Sequence, residues 1–439
     1  MHYHIAKGVF DILPQDPDPQ SAWKESHLWQ YLEGVVRELA KEFGFREIRT
    51  PLFETTELFT RSIGTGTDIV NKEMYTFLDK AERSLTLRPE GTAPVMRAFI
   101  EKNLEQQSPI HKFFYINPMF RYERSQAGRY RQHHQFGVEA IGSALPYQDA
   151  EAIHLLWTLY NRLGLKELTL HLNSIGDQEA RQQFKHALKM YLRPHLSELS
   201  PESQERYETN PLRILDSKDS QDQKYVREAP HIMDYLNPVS SVHFEQVCKT
   251  LDSLGIPYQI NHRLVRGLDY YNNTVFEITS NELGAQNSLG GGGRYDGLIK
   301  QLGGPDLPAF GFGAGLERII QTMLAQKTAL PEPERSDLLF IPLGDEAAVH
   351  CFQLVCRLRE QHIKAEMDLT GKKLKNALRY ADSTKVRYVA VVGENELKTG
   401  EVDLKEMETG TIRHLSLDKL VPHIINSLQL RNPQSSGVE

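Results

Sequence analysis

Between Trp23 and Phe43 apolar residues recur at helical spacing (Leu28, Tyr31, Leu32, Val35, Val36, Leu39, Phe43), and Gly44 follows where a C-cap glycine belongs. The pattern predicts a long amphipathic helix. The period then shortens: residues 45–53 alternate as a strand does, with Pro51 marking an edge or a break. Two further strands are predicted at 112–121 and 134–141. The connection between them, 122–133, is polar and Arg-rich. At about a dozen residues it is longer than a tight hairpin needs, and loops of that length are often functional.

From Gly176 to Glu228 the pattern becomes charged, Gln-rich and helical, broken by Pro194, Pro201 and Pro211, which predicts a helical insertion over 176–228. Strand patterns return at 258–264 and 274–279. Two glycine-rich stretches follow, with a helix beginning near Gly315. The run Pro331-Glu332-Pro333-Glu334 has the composition of a linker. Beyond it a strand (338–342), two helices (347–362, 374–381) and a strand (388–392) alternate as in a small α/β domain. The predicted division is a first domain over 1–328, a linker over 329–336, a second domain over 337–430 and a disordered tail over 431–439.

Composition narrows the class. With 439 residues, more than one core is expected. A chain 40% hydrophobic and 25% charged is neither disordered nor fibrous. No apolar run reaches the length of a membrane span and the N-terminus lacks a secretion pattern, so a cytoplasmic enzyme is expected. Cys248, Cys351 and Cys356 have no metal-pair spacing, and no disulfide or protein-held metal is expected. The net charge of −7 leaves room only for a local basic face, of which Lys372, Lys373, Lys375, Arg379, Lys385 and Arg387, opposed only by Asp382, are the candidate.

No Walker loop and no dinucleotide fingerprint is present, so a bound nucleotide would be held by side chains. A guanidinium can grip phosphate with two donors or stack on a base. Three arginines have the setting for it. Arg121 ends a strand just before the long polar loop, Arg266 stands among apolar residues, and Arg318 lies one turn into a helix after Gly311, Gly313 and Gly315.

At these residues a resemblance emerges. Phe120-Arg121-Tyr122-Glu123-Arg124 with its loop and returning strand resembles motif 2 of class II aminoacyl-tRNA synthetases, Gly311 to Arg318 resembles motif 3, and the first helix with the Pro51 strand resembles motif 1. Leu264-Val265-Arg266-Gly267-Leu268-Asp269-Tyr270-Tyr271 and the glycine run leading into Arg294-Tyr295-Asp296-Gly297-Leu298 resemble the two histidine-specific signatures of histidyl-tRNA synthetases, and Leu87 to Thr92 and Gln135 to Glu139 fit the same family. The resemblance covers nearly the whole chain and fits the insertion only loosely. It implies an α+β fold: an antiparallel catalytic sheet of six or more strands flanked by helices, the helical insertion, and a C-terminal α/β anticodon-binding domain.

The activity so implied is histidine–tRNA ligation with ATP and Mg²⁺. A neutral imidazole offers one donor and one acceptor, so its pocket should supply a carboxylate and a hydroxyl. The resemblance assigns these to Glu139 and Tyr271, the ammonium to Glu90, Thr92 and Gln135, and further histidine contacts to Gly91, Tyr270 and Tyr295. It places Arg121, Glu123, Arg266 and Arg318 at ATP, the three arginines being catalytic. It places Arg124, Gln126, Lys372, Lys373 and Lys375 at tRNA. The implied partners are L-histidine, a histidine tRNA and a second copy of the chain; neither membrane nor DNA enters the reading. Ser125 and His133 replace the expected Pro and Phe of the loop, and residues 7–11 are an untypical N-terminal signature, departures expected to stay clear of the substrate-binding set. His133 and His134 point to opposite faces of a strand, which argues against a shared metal. Two other readings compete. A histidine-sensing regulatory subunit of ATP phosphoribosyltransferase should lack the C-terminal domain, and a plain RNA-binding module would leave Glu90, Glu139 and Tyr271 without purpose.

Overall fold

The computed structural model describes residues 3–64, 67–123, 129–282, 287–371 and 373–429. The chain divides into two compact units, Met1–Pro331 and Glu332–Glu439.

The first unit is built on an eight-stranded sheet. Its order is Arg46–Glu47, His111–Phe120, Gln132–Ile141, Ala309–Gly315, Ser288–Arg294, Asn272–Ser280, Leu168–Ser174 and Gln259–Ile260. The six inner strands are antiparallel throughout, while each two-residue edge strand runs parallel to its neighbour. The expected antiparallel sheet is therefore right for the interior and loose at the edges.

Strand alternation divides the sheet into two chemically different faces. Phe136, Val138 and Ala140 enter a core shared with the helices Ser26–Glu42, Pro146–Arg162 and Leu316–Ala325. The first of these buries Leu28, Leu32, Val36 and Leu39 on one stripe, each worth about 1.5–3 kcal/mol when removed from water. Its end is set by Gly44, whose φ of +77° suits a residue without a Cβ. The opposite sheet face packs against the helix Thr92–Glu101 and the insertion, whose Phe184, Leu188 and Leu192 recur at helical spacing. Polar residues sit between these layers.

Two predicted strands shrink. The one at 45–53 is reduced to Arg46–Glu47, because the buried Arg88 guanidinium takes the carbonyls of Thr50 (2.9 Å) and Pro51 (3.2 Å) out of any ladder. Phe53–Thr55 then joins Ser84–Leu87 and Tyr75–Leu78 in a separate three-stranded sheet. The one at 258–264 is reduced to Gln259–Ile260, since Asn173 Nδ2 captures the Leu264 carbonyl at 3.0 Å. Conversely, both glycine-rich stretches are central strands.

The second unit has a five-stranded sheet ordered Ala365–Met367, Leu338–Pro342, Tyr388–Val392, Glu401–Glu406 and Ile412–Ser416, with the first three parallel and the last two antiparallel. The helices Asp345–Glu360 and Leu417–Gln429 cover it, and Leu374–Ser383 packs on a second small core. The strand Ala365–Met367, the last two strands and the helices Glu394–Thr399 and Leu417–Gln429 are not among the predicted elements. The predicted tail at 431–439 lies outside the described residues.

Candidate active site

One strand carries the backbone of the site. Along Gln132–Ile141 the residues on the face away from the helical core are His133, Gln135, Gly137 and Glu139; His133 and Gln135 line an open recess, and Glu139 is buried further along the same strand.

At the Glu139 end the recess is closed. Glu139 is fully buried; Oε1 accepts from Thr92 Oγ1 at 2.8 Å and from the Tyr115 hydroxyl at 3.2 Å, and Oε2 accepts from the Tyr295 hydroxyl. Burial pushes the carboxyl up to about 8, although the hydroxyl donors favour the charged form. Burial likewise raises Tyr115, Tyr270 and Tyr295, which stay neutral donors. Tyr270, Tyr271 and Tyr295 pack ring on ring, with centroids 4.7, 5.5 and 6.2 Å apart. Glu90 is buried, is raised by that burial, and accepts the N–H groups of Thr92 (2.6 Å) and Ala93 (2.9 Å), capping the first turn of Thr92–Glu101.

Glycine makes this pocket possible. A Cβ at Gly91 or Gly137 would stand 2.3 or 2.2 Å from the Tyr115 ring, and one at Gly311 would stand 2.2 Å from Glu139 Oε2. The Tyr115 ring thus occupies the space two absent side chains leave. Sequence reading missed Tyr115, which looks like any strand aromatic; the glycines at 91 and 137 are the only trace of it.

At the His133 end the recess opens into a cavity of about 230 Å³. Arg121, Arg129, Arg266 and Arg318 line it together with Glu123, Glu317, Gln135 and His133. Arg121 Nε donates to the Pro89 carbonyl at 2.8 Å, Arg266 pairs with Glu277 at 3.1 Å, and Arg318 Nη1 donates to the Ser288 carbonyl at 2.8 Å. Each guanidinium is thereby held at the cavity wall by a backbone carbonyl or a carboxylate. Glu277 is further held by Ser288 Oγ at 2.8 Å, and a Cβ on Gly291 would come within 2.9 Å of Arg266 Nη1. Burial lowers the Arg318 pKa, with Arg129 acting in the same direction, so a negative charge arriving there would relieve both.

Not every expected residue is at the site. His133, expected to stand clear of the substrate-binding set, lines the cavity; burial, then the charges of Arg121 and Arg318, hold its pKa well below 6.5, and it is a neutral ring. His134 faces the other way, donating its N–H to Glu317 at 2.7 Å and packing on Trp29. In the glycine signature Tyr295 reaches Glu139, while Arg294 is tied to Asp149, itself bonded by His243 at 2.8 Å, and serves the scaffold. Lys373 and Lys375 are exposed at the start of Leu374–Ser383 in the second unit. Arg124, Gln126 and Lys372 lie outside the described residues. Among those described, no group of three or more His, Cys, Asp and Glu could hold a metal, and no helix is long and apolar enough to cross a membrane.

The family model for histidyl-tRNA synthetase matches residues 14–319, and that for an anticodon binding domain matches 337–427. A histidine–tRNA ligase of Protochlamydia amoebophila is 58% identical over 426 residues, 97% of this chain and all of its own. The crystal structure of apo Staphylococcus aureus histidyl-tRNA synthetase superposes with a TM-score of 0.79 at 37% identity, covering 96% of this chain and 100% of that one. A Bacillus halodurans protein described as an ATP phosphoribosyltransferase regulatory subunit/histidyl-tRNA synthetase, at 21% identity and a TM-score of 0.64 over 90% of this chain and 99% of its own, shares the fold. With a recess that pairs an arginine-lined cavity with a buried carboxyl, and with family and relatives agreeing over almost its full length, this chain belongs to the histidyl-tRNA synthetase family.

Proposed function

We propose that the recess divides histidine–tRNA ligation between its two ends, with the imidazole bound at Glu139 and the ATP phosphates among the arginines. The chain is a histidine–tRNA ligase, an ATP-dependent aminoacyl-tRNA synthetase that forms histidyl-adenylate and pyrophosphate and then esterifies its tRNA. The observation that carries the assignment of ends is the burial of Glu139 among hydroxyl donors. A carboxyl in that setting has a purpose if it accepts an imidazole N–H, with the Tyr271 hydroxyl serving the other ring nitrogen. Glu90, Thr92 and Gln135 receive the ammonium, and Gly91, Tyr270 and Tyr295 shape the walls.

The chemistry follows from charge. In-line attack by the histidine carboxylate on the α-phosphorus accumulates negative charge, and preorganised cations at that point stabilise the transition state most. Arg121 and Arg266 take this role, Arg318 holds the γ-phosphate side, and Glu123 orients the nucleotide. Carboxylates on the cavity wall fit Mg²⁺, which takes oxygen ligands and is commonly held through one or two carboxylates plus phosphates; Glu123 and Glu317 are the residues that would hold it, and it would neutralise phosphate charge. In the transfer step positioning suffices, with an adenylate phosphate oxygen able to take the ribose proton. Arg124 and Gln126, in the polar stretch that follows Arg121 in sequence, and Lys372, Lys373 and Lys375 in the second unit, are the tRNA contacts. Lys373 is the N-cap of its helix, where a cation opposes the helix dipole and a phosphate would be welcome. The remaining parts of the reading are a homodimer and a cytoplasmic location.

Pyrophosphate exchange measured with each amino acid is the test. Exchange dependent on histidine alone supports the reading, and histidine binding without exchange would turn it into the sensor reading.

A further inference from the structure

The loop that carries Tyr270 and Tyr271 runs from Leu264 to the strand starting at Asn272 and has no ladder of its own. Its shape comes from outside. Arg181, on the insertion helix Gln178–Leu192, donates Nη1 to the carbonyls of Asp269 (3.1 Å) and Tyr271 (2.8 Å). Asn210, also in the insertion, donates Nδ2 to Asp269 Oδ1 at 3.1 Å. From the other side the Asp269 N–H donates to the Ile63 carbonyl at 3.2 Å, and Gly64 lies so close that a Cβ would stand 2.7 Å from Asp269 Oδ2.

The two carbonyls held by Arg181 flank Tyr270, so a single nitrogen orients the peptides that aim both tyrosines at Tyr295 and Glu139. Burial works against the Arg181 charge, partly offset by the Asp269 carboxylate, and Nε finds no hydrogen-bond partner among the described residues. An apolar side chain would pack there without that cost. The expense is understandable if the donors are needed, since two carbonyls of an irregular loop can be held in place only by donors directed at them.

We propose that Arg181 and Asn210 are positioning residues through which the helical insertion sets the histidine pocket, making histidine affinity depend on how the insertion is docked. The proposal rests on the assignment of Tyr270 and Tyr271 to the histidine site. A displacement of about 1 Å in a positioned group can cost on the order of 10²-fold in rate. The effect should fall on histidine and spare ATP.

The experiment uses full-length Arg181→Met, Arg181→Lys and Asn210→Ala, with Tyr271→Phe as the control for the pocket itself. Histidine and ATP KM values come from pyrophosphate exchange, and loop mobility from amide hydrogen exchange over 264–273. Arg181→Met is expected to raise the histidine KM about tenfold or more, to leave the ATP KM within about twofold, and to speed amide exchange in the loop. Arg181→Lys should recover most of both, and Asn210→Ala should move both readouts less. Unchanged loop exchange, or equal changes in both KM values, in folded Arg181→Met overturns the proposal; where that variant does not accumulate, unchanged readouts in Asn210→Ala do so. If Tyr271→Phe leaves the histidine KM untouched, the pocket assignment fails, and loop exchange in the Arg181 variants still decides whether the insertion holds the loop.

Discussion

Replacing Glu139 by Gln is the most discriminating perturbation of the pocket, because it keeps the size of the side chain while removing its capacity for charge and turning one oxygen into a donor. In the native pocket Thr92 and Tyr115 donate to one oxygen and Tyr295 to the other. An amide offers one oxygen to these three hydroxyls, so at least one must turn away, at about 1–3 kcal/mol if it stays buried and unpaired. Release of the buried carboxyl from its desolvation works in the opposite direction, and the net change in folding stability should be small. The loss to histidine is larger, since the carboxyl can give up its proton to accept the imidazole N–H in a charged hydrogen bond worth about 1.5–3 kcal/mol, whereas the amide keeps a competing donor in the pocket. A fall in kcat/KM for histidine of roughly 2–4 kcal/mol, or about 30- to 1,000-fold, is expected. The ATP KM should change little. Glu139→Ala should lose as much activity and more stability, because it strands all three hydroxyls.

The same residue gives a pH signature. With the folded-state carboxyl raised from 4.5 to about 8, the folded chain holds a proton that the unfolded chain releases between those values. Its contribution to stability is therefore complete below about 4.5 and is lost as pH rises toward about 8. Urea denaturation of unliganded wild type and Glu139→Gln should show the difference between them narrowing against wild type across that window. Near-normal histidine kcat/KM in a folded Glu139→Gln would refute the pocket assignment, and a pH-independent difference would refute the raised carboxyl.

Arg266→Ala should slow adenylate formation on the order of 10²-fold or more in single-turnover exchange, since its charge acts most strongly in the transition state; a wild-type rate returns Arg266 to a structural role with Glu277. Gly137→Ala should cost roughly 1–3 kcal/mol of stability and raise the histidine KM, because its methyl meets the Tyr115 ring; unaltered melting and KM would show that the ring moves aside freely. A chain ending at Pro331 should stay folded and keep histidine-dependent exchange, because the proposed ATP and histidine ligands all precede that point, yet charge tRNA poorly; intact charging would remove Lys372, Lys373 and Lys375 from tRNA binding.

The helices and polar ends of the site were legible because their physics is local. Leu28, Leu32, Val36 and Leu39 carry the 3.6 period of the first helix in their spacing. Likewise His133, Gln135 and Glu139 lie on one face by alternation alone. The two central glycine strands were not legible, because glycine has low strand propensity and reads as loop. They exist for a non-local reason: a Cβ at Gly292 would be 2.0 Å from the Gly311 carbonyl oxygen, and one at Gly293 would be 2.5 Å from that of Thr274. Nor could spacing reveal that Arg294 serves Asp149 while its neighbour Tyr295 serves Glu139, since that choice is made by a helix more than a hundred residues earlier in the chain.

The strand face also supplies a ruler. From Glu139 to Gln135 the strand advances four residues, about 13 Å at 3.3 Å per residue. Histidine spans about 6 Å from a ring nitrogen to its carboxylate. Adding a hydrogen bond of about 2.9 Å at each end gives about 12 Å. On the proposed assignment, an imidazole anchored at Glu139 therefore delivers its carboxylate to the level of Gln135, where Arg121 and Arg266 line the cavity. An amino acid with a shorter polar side chain could satisfy Glu139 or reach the arginines, but not both. Selection would then operate in the chemical step as well as in binding, and a shorter competitor that occupied the pocket should inhibit exchange without supporting it. A shorter amino acid activated at a rate comparable to histidine would show that the carboxylate is positioned by something other than the distance along this strand.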